Sequence, residues 1–288
     1  MNSKVFLHNK ENIAKIIKRY LICLIPLVLY GLYKNGFLLY SRDLISLFEA
    51  FKIIILLLVS IGIYFLVDKL IFHQKEIWTF DLLYLLIIPL FMPPNINIGI
   101  YTIGLFVSFI LANLIEKKFK FNKMAFCKLI IILLVVIFSN YSYANAGENL
   151  NIYSLNLWDN LWGRNIGGIA STNIILGLLI FLVFCITNNY KTIVATSSLV
   201  TFIVISLCLN SFDITVLTSS SAILAIILLS IDSFSTPHTK KGMLIYGILA
   251  GLITALLTKF VNLDEGVFIS TLFLSFFAST LDKILEKW

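Results

Sequence analysis

The sequence predicts an all-α membrane protein of about ten transmembrane helices, and three observations lead to this fold class. Of its 288 residues, 59% are hydrophobic and only 13% are charged, with a mean hydropathy of +0.97. Soluble domains carry about 25% charged residues, so this chain has too few charges to cover a globule. Apolar runs recur along it, and its cations fall in alternate loops. A soluble enzyme and a nucleic-acid-binding module are therefore excluded, despite the net charge of +7.

Ten apolar runs are bounded by charged or turn-forming residues and approach the roughly 20 residues that a bilayer requires. Run length favours helices over strands, because a helix satisfies its backbone polar groups within the segment. We expect no cleavable signal peptide, since no small-residue cleavage site follows the first run. The predicted spans are 20–34, 50–67, 79–93, 98–115, 124–139, 173–187, 190–209, 214–231, 242–258 and 266–284.

The distribution of Lys and Arg predicts the orientation. With a cytoplasmic N-terminus, 17 of the 22 cations lie on the inside, and only five lie outside: Lys34, Arg42, Lys52, Arg164 and Lys259. Cytoplasmic loops are enriched in cations, so we expect a multi-pass protein of a bacterial-type plasma membrane with both termini in the cytoplasm. The basic composition is therefore a topology signal, with the lipid bilayer as partner and no nucleic acid.

Two stretches resemble each other and predict an internal repeat. Residues 83–119 and 221–260 each contain an apolar helix, a polar break with proline, and a helix that ends in Lys-Phe. We predict a cytoplasmic segment (1–19), a first repeat (20–139), an outer loop (140–172) and a second repeat (173–288). Five spans per repeat make the two repeats inverted, and matched breaks then indicate a midplane site. Chance likeness between two Leu/Ile-rich helices is the alternative.

Two polar stretches are candidate binding sites. In Asp232–Gly242, Asp232, Thr236 and Thr239 can coordinate a ligand, or they can simply cap a helix break. In Gly163–Asn173, Gly167 and Gly168 allow close backbone approach, and Ser171 and Thr172 precede a helix N-terminus that favours an anion such as phosphate. Helix capping alone is the alternative there.

Smaller signals predict packing and not chemistry. The GxxxG stretch Gly247–Gly251 is typical of close helix contacts. The four cysteines form no CxxC pair, so neither a disulfide framework nor a zinc site is predicted. A thiolate-ligated cluster shared with another subunit is the alternative to buried, unreactive cysteines. No catalytic residue is assigned.

Motifs along nearly the whole chain resemble those of the RnfD/NqrB family of membrane subunits. Asp232–Gly247 resembles the family's TDPVTSPVTxKGxxxFG, with its Asp, Pro, Thr and Lys-Gly retained. Weaker matches are Asp264–Lys283 to PEGVxFAxLxxN…PLIDR, Gly167–Gly177 to GSxGETSxxAxLxG, Met92–Asn95 to LPPxxPWW, and Lys120–Ala125 to NPFNPA.

The resemblance implies a fold related to urea transporters and a subunit of an Rnf- or Nqr-like complex with other membrane subunits. Such a complex couples flavin-mediated electron transfer, of the ferredoxin/NAD type in Rnf, to Na⁺ or H⁺ translocation. Family members attach flavin mononucleotide (FMN) to the Thr of an SGAT motif in the outer loop. This loop contains no SGAT, and Asn145–Glu148 stands in its place.

The missing acceptor predicts a divergent member that binds FMN or another flavin non-covalently. Gly167, Gly168, Ser171 and Thr172 are the expected donors, while Asp232, Thr236 and Thr239 serve as ligand or helix-break groups. A small-solute or vitamin transporter on the same scaffold is the alternative, and a purely structural assembly subunit is a third interpretation.

Overall fold

A computed structural model describes residues 13–74, 76–139, 141–143, 156–186, 190–210, 221–260 and 265–285. Every regular element in these ranges is a helix, which confirms the all-α class. Several sequence predictions lie outside the described residues: most of the segment 1–19, the SGAT-like position Asn145–Glu148 and the start of the eighth span (214–220).

The first half of the chain contains six helical elements, three of which change their helical type. Helix α1 (Ile13–Leu32) continues through a π-helical turn (Tyr33–Phe37) into Leu38–Tyr40. Helix α3 (Lys52–Tyr64) continues as a π-helix (Phe65–Ile71), and α4 (Phe80–Ile87) ends in a 3-10 turn (Ile88–Phe91). The others are α2 (Leu47–Ala50), α5 (Ile98–Glu116) and α6 (Lys123–Phe138).

The second half contributes six more helices among the described residues. They are α7 (Leu157–Leu161), α8 (Ile174–Cys185), α9 (Thr192–Leu209), α10 (Ala222–Leu229), α11 (Lys240–Phe260) and α12 (Gly266–Leu285).

Each of the ten predicted spans overlaps one of these helices, and the first part of the eighth span lies outside the described residues. Within the described residues, five helices are long and apolar enough to cross a membrane: Lys52–Ile71, Ile98–Glu116, Thr192–Leu209, Lys240–Phe260 and Gly266–Leu285. Shorter apolar helices cover Phe80–Phe91 and Ile174–Cys185. The chain is therefore a polytopic membrane protein, and the orientation of its termini stays a prediction.

Helix α1 starts seven residues before the predicted span. Ile16, Ile17 and Tyr20 are buried on one face, while Lys18 and Arg19 are exposed. Such an amphipathic turn extends the helix beyond its apolar run, so the apolar run alone marks its start too late.

The helix contacts repeat between the two halves. The pairs α1–α4, α3–α4, α3–α5, α4–α6 and α5–α6 have counterparts in α8–α10, α9–α10, α9–α11, α10–α12 and α11–α12. Between the halves, α1 contacts α8 and α6 contacts α12, so each of these helices meets its own equivalent. The two halves therefore share one pattern of helix contacts, while their inverted relation stays a prediction. The domain boundaries drawn from sequence remain predictions.

The short helices α4 and α10 occupy equivalent places at the centre of the two halves. All eight residues of α10 are buried, as are Leu82–Leu85 and Ile87–Phe91. A helix that is apolar on all sides belongs in such an interior. The longer helices surround them and expose large apolar side chains on their outer faces, where a bilayer is the expected solvent.

The GxxxG stretch packs α11 closely against α9, as predicted. A Cβ atom on Gly247 would lie 2.8 Å from the Val194 carbonyl oxygen, and one on Gly251 would lie 2.5 Å from that of Ser198. Glycine is required here because the two backbones approach too closely for a side chain.

Candidate functional site

The carboxylate of Asp232 holds the break between α10 and α11. Its Oδ1 accepts hydrogen bonds from Phe234 N and from Tyr84 OH, both at 3.0 Å, and its Oδ2 accepts one from Ser235 Oγ at 2.5 Å. Only 2% of Asp232 is exposed, and burial raises the pKa of this carboxyl group. Asp232 therefore fixes the loop that follows α10 and ties it to α4.

Thr236 and Thr239 are engaged in the same loop. Thr236 Oγ1 donates to the carbonyl oxygen of Asp232 at 3.1 Å. Thr239 Oγ1 donates to Asp282 Oδ1 at 2.7 Å and accepts from Gly242 N at 3.1 Å, which caps the first turn of α11. These contacts are those of a capped helix break, the simpler of the two interpretations of this stretch.

Lys191 precedes α9 and binds the loop between α10 and α11 through two hydrogen bonds. Its Nζ donates to the carbonyl oxygens of Thr236 and Pro237 at 2.9 and 2.8 Å. Burial lowers the pKa of Lys191 to about 8, against the opposing effect of Asp232 and Asp282. The loop is thus held from α4, α9 and α12 together.

The outer loop closes on the π-helical turn of α1 through Lys34. Lys34 Nζ donates to Thr172 Oγ1 at 2.9 Å and to the Asn165 carbonyl oxygen. Thr172 Oγ1 in turn donates to the carbonyl oxygen of Gly163 at 2.9 Å. Lys34 is only 3% exposed, so a cation is buried next to the predicted flavin-binding hydroxyl.

Gly168 lets the loop lie against the break that follows α4. A Cβ atom there would come within 2.9 Å of both the Leu90 carbonyl oxygen and Phe91 Cα. Ile169 N and Ala170 N donate to the carbonyl oxygens of Met92 and Leu90, each at 2.9 Å. At Gly167, a Cβ atom would lie 2.6 Å from Thr172 Cγ2. Both glycines are therefore needed for packing within the protein.

The outer loop contains a buried hydroxyl group and a buried lysine, but the described residues enclose little free space beside them. Ser171 Oγ is buried and has no hydrogen-bond partner. Lys34 Nζ, which contacts Thr172 in the same loop, supplies a positive charge. Asn173 caps the N-terminus of α8, because its side-chain oxygen accepts a hydrogen bond from Leu176 N at 2.9 Å. The neighbouring cavity, bordered by Lys52 and Ile169 among others, has room for about one water molecule. This cavity is therefore too small to enclose a ring system.

The predicted site residues form two separate groups, as the two polar stretches of the sequence predict. Gly167, Gly168, Ser171 and Thr172 lie together in the outer loop, and Asp232, Thr236 and Thr239 lie together at the other break. Helix α4 separates them, because Tyr84 contacts Asp232 while Leu90 contacts Ala170. Tyr84 and Leu90 are six positions apart, which corresponds to about 9 Å along a helix.

A polar network near the start of α6 was missed by the sequence interpretation. Lys123 Nζ lies 3.0 Å from both carboxylate oxygens of Asp81, 2.9 Å from Asn113 Oδ1 and 2.5 Å from Glu116 Oε2. Asn113 Nδ2 donates to Asp68 Oδ1 at 3.3 Å, and the second oxygen of Asp68 is buried without a partner. Asp68 and Asp81 border apolar runs, where a carboxylate is costly. Their positions in the sequence could therefore have indicated the polar network.

A buried ion pair between the halves was also missed. Lys128 Nζ lies 3.6 Å from Glu265 Oε1 and 3.8 Å from the ring centroid of Phe268. Tyr143 OH donates to the same Glu265 oxygen at 2.5 Å. The side chains of Lys128 and Glu265 are only 1% and 4% exposed. The pair joins α6 to the start of α12.

The orientation count includes lysines that are buried in the structure and do not lie in solvated loops. Lys128 was counted with the cytoplasmic loops, but it lies inside α6 and is buried. Lys34 was counted with the outer loop, but it is buried in the π-helical turn. Counting charges by loop treats every lysine as solvated, whereas these two have buried oxygen partners. An isolated lysine inside an apolar run was the signal for Lys128.

Comparison with protein-family models gives a match over residues 1–287, to the family described as NQR2, RnfD, RnfE. The matched range contains both helix breaks, the outer loop and both buried charge clusters. A search of curated proteins finds no match to the chain.

Proposed function

Since the chain belongs to the NQR2, RnfD, RnfE family, we propose that it is the RnfD-type membrane subunit of a complex that couples flavin-mediated electron transfer to Na⁺ or H⁺ movement. The family supports the broader statement, a membrane subunit of an ion-translocating electron transport complex. The flavin, the ferredoxin/NAD-type electron partners and the choice of ion are the proposed part.

The proposal of ion coupling rests on the Lys128–Glu265 ion pair, which lies between the two halves of the chain. Ionisable side chains buried among membrane helices are costly and typically mark ion pathways or proton relays. This pair connects α6 and α12, which are equivalent helices of the two halves. A change in the charge of either group would alter the contact between the halves.

For the electron-transfer part of the proposed function, we assign a non-covalently bound FMN to the outer loop. Ser171 Oγ is the unpartnered donor, Lys34 the compensating charge, and the N-terminus of α8 adds favourable backbone dipoles. Thr172 orients Lys34, and Gly167 and Gly168 shape the loop. When bound, the flavin supplies the electron-carrying group. Asp232, Thr236 and Thr239 hold the other helix break.

The partners follow from the same assignment. Family membership supports a place within a multi-subunit membrane complex. We propose that its partners are the other membrane subunits of an Rnf-like complex. The outer surface near Ser171 is where a flavin ring would meet such a neighbour.

Purification of the native complex tests the proposal. We expect yellow flavin absorbance that leaves the protein on denaturation, and mass spectrometry should find FMN in the released fraction and none attached to this chain. A colourless complex that cannot reduce an electron acceptor would overturn it. Passage of a neutral solute through liposomes that contain the chain alone would instead support the transporter alternative, which no described contact specifically favours.

A further inference from the structure

A small cavity lies at the centre of the second half, between α9, α10, α11 and α12. Five hydroxyl side chains border it, and it is called the hydroxyl cavity below: Ser198, Ser230, Thr236, Thr254 and Thr271. The other polar side chains of its lining are Asn122, whose Oδ1 accepts from Ala125 N, and Tyr246, whose hydroxyl donates to the Thr271 carbonyl oxygen. It has room for about one water molecule or one ion without its hydration shell. Its borders on α11 run from Tyr246 to Thr254, about 9 to 21 Å from the start of that helix. This depth corresponds to the middle of a bilayer core of about 30 Å.

Each of the five hydroxyl groups that border the cavity donates its hydrogen to an oxygen atom of the protein. Four donate to carbonyl oxygens: Ser198 to Val194 O (2.5 Å), Ser230 to Ile226 O (2.7 Å), Thr236 to Asp232 O (3.1 Å) and Thr271 to Val267 O (2.8 Å). Thr254 Oγ1 lies 2.8 Å from Ser270 Oγ, whose own hydrogen goes to Val267 O at 2.9 Å. Thr254 is therefore the donor of that pair. A hydroxyl has one hydrogen and two lone pairs, so these side chains have only acceptors left to offer.

The C-terminal end of α10 faces the same cavity. Ile226, Leu229 and Ser230 border it at the point where this helix stops. A helix C-terminus carries a partial negative charge, and α10 is buried along its whole length, so water screens that charge poorly. Acceptor oxygens together with a negative helix end favour a cation over an anion.

The residues that border the cavity indicate which charge a bound cation would carry. Among the described residues that border the cavity there is no carboxylate. Divalent ions are usually held by carboxylates, so a divalent ion here would be left uncompensated. A monovalent ion needs only neutral oxygens and a helix dipole. Broken helices at the membrane midplane hold coupling ions in this way in transporters built from repeats.

We propose that the hydroxyl cavity binds one dehydrated monovalent cation of about the size of Na⁺. The inference deepens the proposed function and rests on it, because it gives the translocated ion a binding position at the midplane. Thr236, which the sequence indicates as a ligand residue, belongs to this site through its place in the lining. Its partner Asp232 acts by fixing the end of α10.

Thermal unfolding of the purified complex tests the site, with NaCl, KCl and choline chloride compared at equal ionic strength. A ligand that binds only the folded state raises its melting temperature with concentration. We expect Na⁺ to raise the melting temperature of the wild type in a saturable manner, and choline to have no such effect. Thr254→Val removes one oxygen without changing the shape. It should weaken the apparent Na⁺ affinity about 10- to 100-fold, the factor for losing one hydrogen-bond-like contact to a charge.

Thr258→Val is the matched control. Thr258 lies one turn further along α11 and donates to the Thr254 carbonyl oxygen at 3.0 Å, but it does not border the cavity. This variant should keep the wild-type response to Na⁺. If Thr254→Val does not fold, Ser198→Ala removes another oxygen of the lining and must show the same loss of affinity.

Equal melting temperatures in the three salts, or an unchanged Na⁺ response in both cavity variants, would overturn the site and leave a cavity that holds water only. The proposed function is tested separately by flavin content and electron transfer. A complex that carries flavin and transfers electrons without any Na⁺ stabilisation refutes this inference alone. Na⁺ stabilisation without flavin or electron transfer refutes the proposed function and leaves the site standing.

Discussion

Tyr84 donates a hydrogen bond to Asp232 across 3.0 Å, and this bond joins the centres of the two halves of the chain. Tyr84 lies on α4, and Asp232 follows α10, the equivalent helix of the second half. Both side chains are buried, so the bond is made away from water. The helix break that carries the strongest family motif is therefore positioned by the first half of the chain.

Removal of this hydroxyl should destabilise the protein. We expect Tyr84→Phe to lower the free energy of unfolding by about 1.5–3 kcal/mol, the range for a hydrogen bond to a charged group. Thermal unfolding of the purified protein measures the change. Tyr33→Phe is the control, since the side chain of Tyr33 is exposed. An equal effect of the two substitutions would contradict the role given to the Tyr84–Asp232 bond.

The close contact of α9 and α11 predicts different outcomes for two glycine substitutions. In Gly251→Ala the new methyl group would lie 2.5 Å from the Ser198 carbonyl oxygen, and such overpacking costs about 1–3 kcal/mol. In Gly62→Ala nothing lies within 4 Å of the new group, and the higher helix propensity of Ala gives a small gain. Melting temperatures should move in opposite directions, and a similar loss in both variants would refute the packing argument.

The helical framework could be predicted from the sequence because a bilayer leaves few alternatives. Backbone groups must be satisfied within each segment, so every apolar run implied a helix, and the GxxxG stretch implied a close contact. The pairing of α4 with Asp232 could not be predicted in this way. This pairing depends on a contact between Tyr84 and Asp232, which are far apart in the sequence and meet only in the folded chain.

The buried charges were harder to predict for a physical reason. Lys34 and Lys128 were counted as loop cations because a lysine in a membrane protein is normally solvated or close to the interface. What retains them in the interior is a set of distant partners, Glu265 for Lys128 and the outer loop for Lys34. Such pairing is set by the tertiary fold, so only the unexpected presence of a cation in an apolar run could indicate it.

The outer loop predicts a graded loss of flavin. Lys34→Met removes the only charge assigned to the phosphate, so we expect it to reduce the FMN content of the purified complex strongly. Thr172→Ala should cause a smaller loss, because Thr172 acts by orienting Lys34, and Thr172→Ser should restore the content. FMN released by denaturation is measured by fluorescence. Undiminished flavin in Thr172→Ala would remove this residue from the site.

The Lys128–Glu265 pair predicts strong coupling between two substitutions. Lys128→Met alone leaves Glu265 as an uncompensated buried charge, and Glu265→Gln alone does the same to Lys128; either loss costs about 3–5 kcal/mol. The double variant removes both charges and should recover most of that stability, because two neutral groups need no compensation. Thermal unfolding of the three variants gives the coupling energy. If the double variant loses the sum of the two single effects, then the charges do not act as a pair. A stable double variant that still transfers electrons but no longer moves ions would link this contact between α6 and α12 to the coupling itself.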